Sequence, residues 1–203
     1  MKQTKFLLGL ILFAAMLAGC SKAPQVAALG PSDVVLAFGD SLTFGTGASP
    51  AESYPAQLQT LINRKVVNAG VPGEVSADGL ARLPAALEEV RPKLLLLCHG
   101  GNDFLRKQSE TEAAANVRAM IKLAKDKGIN VILIATPKPG LSISPPDFYA
   151  EIAKEFEIPF NDDALKTILR DNALKSDLIH PNAKGYAQIA ETIAKLLKKA
   201  GAV

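Results

Sequence analysis

The sequence predicts an α/β protein in which a five-stranded parallel sheet lies between two layers of helices, a three-layer α/β/α sandwich. Short apolar runs alternate along the chain with longer segments whose apolar residues recur at helical spacing. The short runs are hydrophobic on both faces, which is typical of parallel strands covered by helices. The alternation predicts right-handed crossovers and a doubly wound sheet. With 203 residues, the chain is long enough for one well-buried domain and too short for two.

Four of the five predicted strands are clear apolar runs that end in turn residues. They cover Val34 to Asp40, Val66 to Gly70, Leu94 to Gly100 and Asn130 to Pro137. A weaker fifth candidate is the segment IPFND that begins at Ile158.

Five helices are predicted from apolar residues at helical spacing. They cover Tyr54 to Asn63, roughly Ala77 to Val90, Thr111 to Lys127, Phe148 to Phe156 and the segment NAKGYAQIAETIAKLLKKA near the C-terminus. The last segment carries lysines on its polar face and at its end, where positive charge suits the helix dipole.

The N-terminus has the features of a targeting segment. Lys2 and Lys5 precede an apolar run from Phe6 to Leu17, which is shorter than the roughly 20 residues of a membrane-spanning helix. The end of this segment, Leu17 to Cys20, resembles the bacterial lipobox, in which the cysteine is lipidated and begins the mature protein. The alternative is a plain secretory signal with an incidental cysteine.

These features predict three regions. Residues 1–19 are a lipoprotein signal peptide, residues 20–32 a lipidated N-terminus and tether, and residues 33–203 the folded domain. The expected location is the bacterial cell envelope, with the chain anchored to the membrane through Cys20. If the host has two membranes, Ser21 after the cysteine favours the outer membrane, facing the periplasm.

Composition argues against several classes of function. Two of the 23 basic residues, Lys2 and Lys5, lie in the predicted signal, so the rest nearly balance the 20 acidic residues, and nucleic-acid binding is not expected.

Neither a metal nor a cofactor is expected. The chain has only two histidines, no H-E-x-x-H spacing and no glycine-rich phosphate motif. Cys98 ends the run LLLLC and is expected to be a buried thiol, with a nucleophile as the minor alternative. His99 is likewise expected to be packed and satisfied by hydrogen bonds.

Polar residues follow the predicted strands where a parallel sheet would gather them. Ser41, Gly73 and Asn102 lie on the loops after the first three strands. Before the last helix, Asp177 precedes His180 by three residues, so its carboxylate can accept from one imidazole nitrogen while the other faces outward. An oriented imidazole is what a serine hydroxyl needs to act as a nucleophile. The alternatives are structural roles. Ser41 could cap a helix, Asn102 could be a turn residue, and Asp177 and His180 could be a surface pair before a helix.

The esterase motif G-x-S-x-G is absent, because threonine stands at its last position after Ser41. A separation of three positions from the acid to the histidine is also shorter than is usual in an α/β-hydrolase. A serine hydrolase of this sequence therefore belongs to another architecture.

Four segments resemble the conserved blocks of the SGNH, or GDSL, hydrolase superfamily, in the family's order. They are FGDSLTFGTG, NAGVPGEVSADGLARLP, GGND and DLIHPNAKGYAQIA. The similarity is greatest to the bacterial branch that contains thioesterase I/lysophospholipase and the arylesterases. The resemblance implies a flavodoxin-like sandwich and a serine esterase that forms an acyl-enzyme from carboxylic esters or thioesters.

The resemblance also implies roles for the candidate residues. Ser41 is the nucleophile, His180 the general base and then acid, and Asp177 the residue that orients His180. The oxyanion hole consists of the backbone N–H groups of Ser41 and Gly73 and the side-chain amide of Asn102. Asp40 is expected only to stabilise the turn by hydrogen bonds. His99 replaces an apolar residue usual in this branch and is expected to alter the pocket rim slightly.

The loop from Pro137 to Tyr149 is rich in proline, glycine and serine and follows a strand, so it is expected to form one wall of a pocket. Leu141, Ile143 and Phe148 on this loop are candidates for an apolar acyl groove, which favours small-molecule esters or thioesters with an acyl chain. Two alternatives stay open. One is an acetyl-carbohydrate esterase, which the absence of tryptophan disfavours. The other is a catalytically silent, lipid-anchored binding protein.

Overall fold

Five parallel strands form the central sheet in the computed structural model, which describes residues 23–140 and 143–203. The strands are β1 (Val34–Gly39), β2 (Lys65–Gly70), β3 (Leu94–Cys98), β4 (Asn130–Ile134) and β5 (Phe160–Asn161). Their order across the sheet is β2-β1-β3-β4-β5, and every neighbouring pair is parallel. The predicted sheet is confirmed, although β1, β3 and β4 end before the turn residues included in the prediction.

The described part of the chain contains eight α-helices. They are α1 (Ser41–Phe44), α2 (Tyr54–Ile62), α3 (Ser76–Val90), α4 (Gly101–Leu105), α5 (Glu110–Asp126), α6 (Phe148–Glu155), α7 (Ala164–Arg170) and α8 (Ala183–Lys199). The five predicted helices are confirmed to within one residue at each end. Helices α1, α4 and α7 were not predicted, because segments of four to seven residues are too short to show a helical period.

Alternate strand residues point to opposite faces of the sheet, and each face packs against its own helices. Val35 and Ala37 of β1 join one core with residues of α2, α7 and α8. Leu36 and Phe38 join the other core with residues of α3, α5 and α6. The predicted three-layer sandwich is therefore confirmed, and both faces of the central strands are buried under helices.

The segment before β1 is attached to the domain, which corrects part of the predicted tether. Val26 donates its N–H to the Ala200 carbonyl at 3.0 Å, and Leu29 donates to the Ala202 carbonyl at 2.8 Å. The Leu29 side chain is 5% exposed within the core on the α8 face, and its carbonyl accepts from Arg64, just before β2. Because these contacts fix the chain from Val26 onward, only residues before it can act as a tether.

The signal peptide predicted for residues 1–19 and the start of the predicted lipidated tether, residues 20–22, lie outside the described residues. Where the structure describes the chain, it shows no helix with the length and apolarity needed to cross a membrane.

The carboxyl ends of the first three strands lie level with one another. Gly39, the last residue of β1, is paired in register with Gly70 of β2 and with Cys98 of β3. A side chain at Gly39 would place its Cβ 2.1 Å from the Cys98 carbonyl oxygen, and one at Gly70 would lie 2.1 Å from the Phe44 backbone nitrogen. Only glycine permits these approaches, so the three loops that follow leave the sheet side by side.

Candidate active site

Ser41, His180 and Asp177 form a continuous hydrogen-bond chain. Ser41 Oγ lies 3.0 Å from His180 Nε2, and His180 Nδ1 lies 2.8 Å from Asp177 Oδ2. Because the carboxylate accepts the hydrogen on Nδ1, Nε2 of the neutral ring is left to accept the serine proton. The fold thus brings together three side chains predicted to act as one unit, although Ser41 and His180 are 139 residues apart in sequence.

Asp40 places Ser41 at the start of helix α1. Its Oδ1 accepts the Leu42 N–H at 3.0 Å as the helix N-cap, and its Oδ2 accepts from the Asn102 side chain at 3.2 Å. The side chain is 2% exposed, and this burial raises the pKa of Asp40 above its ordinary value. The structural role predicted for Asp40 agrees with these contacts.

Asp177 shapes the turn that presents His180. Its Oδ1 accepts the backbone N–H groups of Ile179 and His180, both at 2.8 Å. Partial burial opposes ionisation of Asp177, but these bonds and the one from the imidazole outweigh it and lower the pKa of the carboxyl below its ordinary value. Asp177 is therefore charged at neutral pH, where it can stabilise a protonated His180.

Asn102 and Gly73, the other predicted oxyanion donors, lie on neighbouring loops. Asn102 Nδ2 donates to the Glu74 carbonyl at 3.0 Å as well as to Asp40. Gly73 has a φ of +79°, which favours glycine, and its carbonyl accepts from Arg106 at 2.6 Å. Of these two predicted donors, Asn102 lines the cavity beside Ser41 and Gly73 does not.

Similarity to known proteins agrees with this arrangement. A sequence model described as the GDSL-like Lipase/Acylhydrolase family matches residues 37–188. The chain belongs to this family. The resemblance inferred from four short blocks is thereby confirmed.

Individual relatives of this GDSL-family chain are esterases and thioesterases by name. Thioesterase 1/protease 1/lysophospholipase L1 of Escherichia coli strain K12 is 31% identical over 175 residues, which cover 82% of this chain and 84% of the relative. The arylesterase of Vibrio mimicus is 30% identical, with 85% and 92% covered. Among solved structures, that of TesA matches with a TM-score of 0.74 at 27% identity, covering 83% of this chain and 99% of its own. AlinE4, an SGNH-hydrolase family esterase, matches with a TM-score of 0.66 at 31% identity, covering 85% and 98%.

A cavity of about 490 Å³ opens beside Ser41 and His180 of this GDSL-family chain. Most of its lining is apolar, and the large aliphatic residues among the lining are Leu42, Leu105, Ile143, Leu169, Leu178 and Ile179. The prediction for Ile143 agrees with this position, and Leu141 lies outside the described residues. The other five were missed, because they come from four separate segments that only the fold gathers.

Phe148 does not line the cavity, which corrects the prediction for this residue. It is 9% exposed and belongs to the core on the α6 face. Its ring stacks on that of Tyr149 with centroids 4.2 Å apart. Phe148 is the first residue of α6, so it turns inward with the apolar face of that helix.

A largely buried cluster of Glu74, His99 and the half-buried Arg82 lies behind the Gly73 loop. The Glu74 carboxylate accepts from Arg82 Nε and from an Arg82 terminal nitrogen, both at 2.7 Å, and lies 3.0 Å from His99 Nε2. His99 is completely buried, so the prediction of a packed histidine is confirmed and the expected effect on the pocket rim is wrong. Sequence reasoning missed Glu74 and Arg82, although opposite charges eight residues apart within a family block were the available signal.

Cys98 is 1% exposed, and burial raises the pKa of its thiol well above the ordinary value. The prediction of a buried thiol is confirmed. Within residues 23–140 and 143–203, no group of three or more His, Cys, Asp and Glu side chains is placed to hold a metal ion.

Proposed function

We propose that this chain is a serine esterase that hydrolyses carboxylic esters or thioesters with an apolar acyl group. The observation that carries the proposal is the hydrogen-bond chain from Ser41 through His180 to Asp177 at the floor of an apolar cavity. The names of the relatives, among them a thioesterase and an arylesterase, support the same reaction class.

In the acylation half, Ser41 Oγ attacks the substrate carbonyl carbon while its proton passes to His180 Nε2. Asp177 accepts the hydrogen on Nδ1 and stabilises the imidazolium that forms. When the tetrahedral intermediate collapses, the carbon–oxygen or carbon–sulfur bond breaks and His180 returns the proton to the leaving alcohol or thiol. The acyl group stays on Ser41 as an ester.

In the deacylation half, water takes the place of the alcohol or thiol. His180 removes a proton from the water as its oxygen attacks the acyl carbon. The bond between the acyl carbon and Ser41 Oγ then breaks, His180 returns the proton to Ser41 Oγ, and the carboxylic acid leaves. The negative charge on the carbonyl oxygen, in both halves, would be stabilised by the N–H groups of Ser41 and Gly73 and by the Asn102 amide. At 3.2 Å, the bond from Asn102 to Asp40 is the longer of its two, and it is the one an oxyanion would replace.

The cavity favours an aliphatic acyl chain over a sugar. Its lining residues among those described include large aliphatic side chains from five segments and no Phe, Tyr or Trp ring on which a sugar could stack. Lys138 and Lys175 add positive charge to the same lining. Structures of acetyl-carbohydrate esterases share this fold at 19% and 21% identity, which bears on the fold alone.

The test is a rate series on p-nitrophenyl esters from acetate to palmitate. We expect rates to rise toward medium or long chains, and Ser41→Ala and His180→Ala each to remove nearly all turnover without loss of folding. Ser32→Ala, at an exposed serine near the opposite edge of the sheet, is the matched control and should keep full activity. Rates confined to acetate would move the proposal to deacetylation, and turnover that survives Ser41→Ala would overturn it.

We also propose that the chain is a lipoprotein of the bacterial cell envelope, anchored through Cys20. The basis is the lipobox-like sequence that ends at Cys20, after a charged and then apolar N-terminus. Cys20→Ser should release the protein from the membrane fraction or block its maturation, whereas Cys98→Ala should leave fractionation unchanged. Membrane retention of Cys20→Ser would contradict the anchor.

A further inference from the structure

Glu74 stands next to both predicted oxyanion donors that lie outside the Ser41 turn. It directly follows Gly73, and its backbone carbonyl accepts the Asn102 amide at 3.0 Å. The Glu74 N–H donates to the Val71 carbonyl at 3.2 Å, which closes the turn that contains Gly73. Whatever fixes Glu74 therefore fixes the backbone at Gly73 and the direction of the Asn102 side chain.

The Glu74 carboxylate is held from two sides by basic side chains. Arg82 forms a two-pronged contact at 2.7 Å for each bond, and His99 contributes a third bond at 3.0 Å. Burial of Glu74 opposes its ionisation, but these bonds prevail and lower the pKa of its carboxyl to about 2. Glu74 is thus a charged anchor at any pH at which an esterase is assayed.

His99 occupies a site built around it. The Gly100 N–H donates to Nδ1 at 3.1 Å, which makes Nδ1 an acceptor, so Nε2 carries a hydrogen and donates it to Glu74. On helix α3, a Cβ at Gly79 would lie 2.3 Å from Nε2, so the absence of a side chain there makes room for the imidazole. The Tyr149 hydroxyl donates to the His99 carbonyl at 2.7 Å and holds the backbone.

Two further contacts hold the Arg82 side chain in place. Its guanidinium lies 4.1 Å from the centroid of the Phe38 ring, a residue of β1 in the core, and donates to the Ala69 carbonyl at 3.1 Å. The cluster therefore connects the loop after β2 to β1, β2 and the end of β3. It touches neither Ser41 nor the cavity, since Glu74, Arg82 and His99 are not among the lining residues.

We propose that Glu74 is a positioning residue for the oxyanion hole, held by Arg82 and His99, and that it aligns Gly73 and Asn102 for the transition state. The inference rests on the proposed esterase function and adds residues that act without touching substrate. An error of about 1 Å in the position of a catalytic group can cost about 100-fold in rate, so a loosened Glu74 turn should reduce turnover rather than substrate binding.

The test compares His99→Leu with His99→Gln in the full-length chain. His99→Leu removes the hydrogen bond to Glu74, and we expect kcat per active site to fall about 10- to 100-fold with KM changed less than about twofold. His99→Gln keeps an N–H donor and should restore most of the rate. Cys98→Ala is the matched control: it truncates the neighbouring buried side chain, which belongs to the core on the α8 face and has its Sγ 3.8 Å from Thr136 Oγ1.

Active sites are counted from the burst of p-nitrophenol, so that unfolded molecules do not lower the measured kcat. An unchanged kcat per active site in His99→Leu would overturn the proposal and leave the cluster a structural role only.

A second measurement uses the double variant Glu74→Gln with Asn102→Ala. If Glu74 acts partly through Asn102, the double variant loses less rate than the product of the two single losses. If the rate loss of the double variant equals the product of the two single losses, the two residues act independently and the proposed coupling is contradicted. Absence of any Ser41-dependent turnover in the wild type would instead refute the esterase function itself.

Discussion

Asn102 donates both hydrogens of its amide to protein acceptors in the resting structure. One acceptor is the Glu74 carbonyl at 3.0 Å and the other the Asp40 carboxyl at 3.2 Å. In the proposed mechanism an oxyanion displaces one of these acceptors, so the Asn102 amide would bind substrate strongly only when charge develops on the carbonyl oxygen. Such a donor contributes to the transition state and little to the ground state.

Asn102→Ala should therefore lower kcat about 100- to 1,000-fold, the usual effect of losing one oxyanion donor, with KM little changed. Steady-state kinetics on the preferred p-nitrophenyl ester measure both constants, and thermal unfolding checks that the variant is folded. A loss confined to KM would show that Asn102 binds substrate and does not stabilise the oxyanion.

The ionisation of Glu74 should make the stability of the protein depend on pH. Its pKa is lowered from 4.5 to about 2, so its ionisation contributes on the order of 3 kcal/mol to the free energy of unfolding. This contribution is complete above pH 4.5 and is lost as the pH falls toward 2. We expect the difference in unfolding free energy between wild type and Glu74→Gln to be largest near pH 7 and to shrink across that window. Denaturant titrations at several pH values measure it, and a constant difference would contradict the lowered pKa.

At the scale of elements, helix α1 depends on its direct contact with strand β2. The backbone nitrogen of Phe44, at the end of α1, lies where a Cβ at Gly70 would come within 2.1 Å. The Asn68 side chain donates to the Phe44 carbonyl at 3.1 Å and holds the same end. Ser41 begins this short helix, so its position follows from how closely the helix approaches the sheet.

Gly70→Ala should push α1 away from β2, destabilise the protein by about 1–3 kcal/mol as overpacking does, and lower kcat by at least about tenfold. Gly30→Ala is the matched control, because a Cβ there meets nothing closer than 3.4 Å. Thermal unfolding and ester hydrolysis report the two effects separately. Full activity in Gly70→Ala would mean that α1 tolerates displacement.

At the scale of the whole molecule, the N-terminal segment and the active site lie at opposite edges of the sheet. Leu29 packs near the end of helix α8, and its carbonyl accepts from Arg64 at the start of β2. Ser41 follows the carboxyl end of β1 instead. Stability contributed by the segment should thus be separable from catalysis.

Leu29→Ala should lower the free energy of unfolding by about 2–5 kcal/mol, as for other buried leucines, and leave kcat unchanged at a temperature where the protein is folded. Chemical denaturation and ester hydrolysis measure the two quantities. A large loss of kcat in the folded variant would show that the two edges of the sheet are coupled.

Local patterns in the sequence were enough to predict the architecture and to single out the side chains of the proposed triad. Strands such as LLLLC are predictable because burial on both faces leaves a continuous apolar run. The long helices are predictable because their apolar faces repeat over several turns. Ser41, Asp177 and His180 were found from short motifs whose spacing matches their chemistry, and the structure places them within hydrogen-bond distance.

The tertiary structure alone decided which side chains face the cavity and which support it from behind. Phe148 and Ile143 lie on the same predicted loop, yet one packs in the core and the other lines the cavity, because their directions depend on where α6 docks. Glu74 and His99 are 25 residues apart, and nothing local to either predicts that they meet. Motifs and periodicity report on a residue's neighbours in sequence, whereas cavity walls and buried ion pairs are made of neighbours in space.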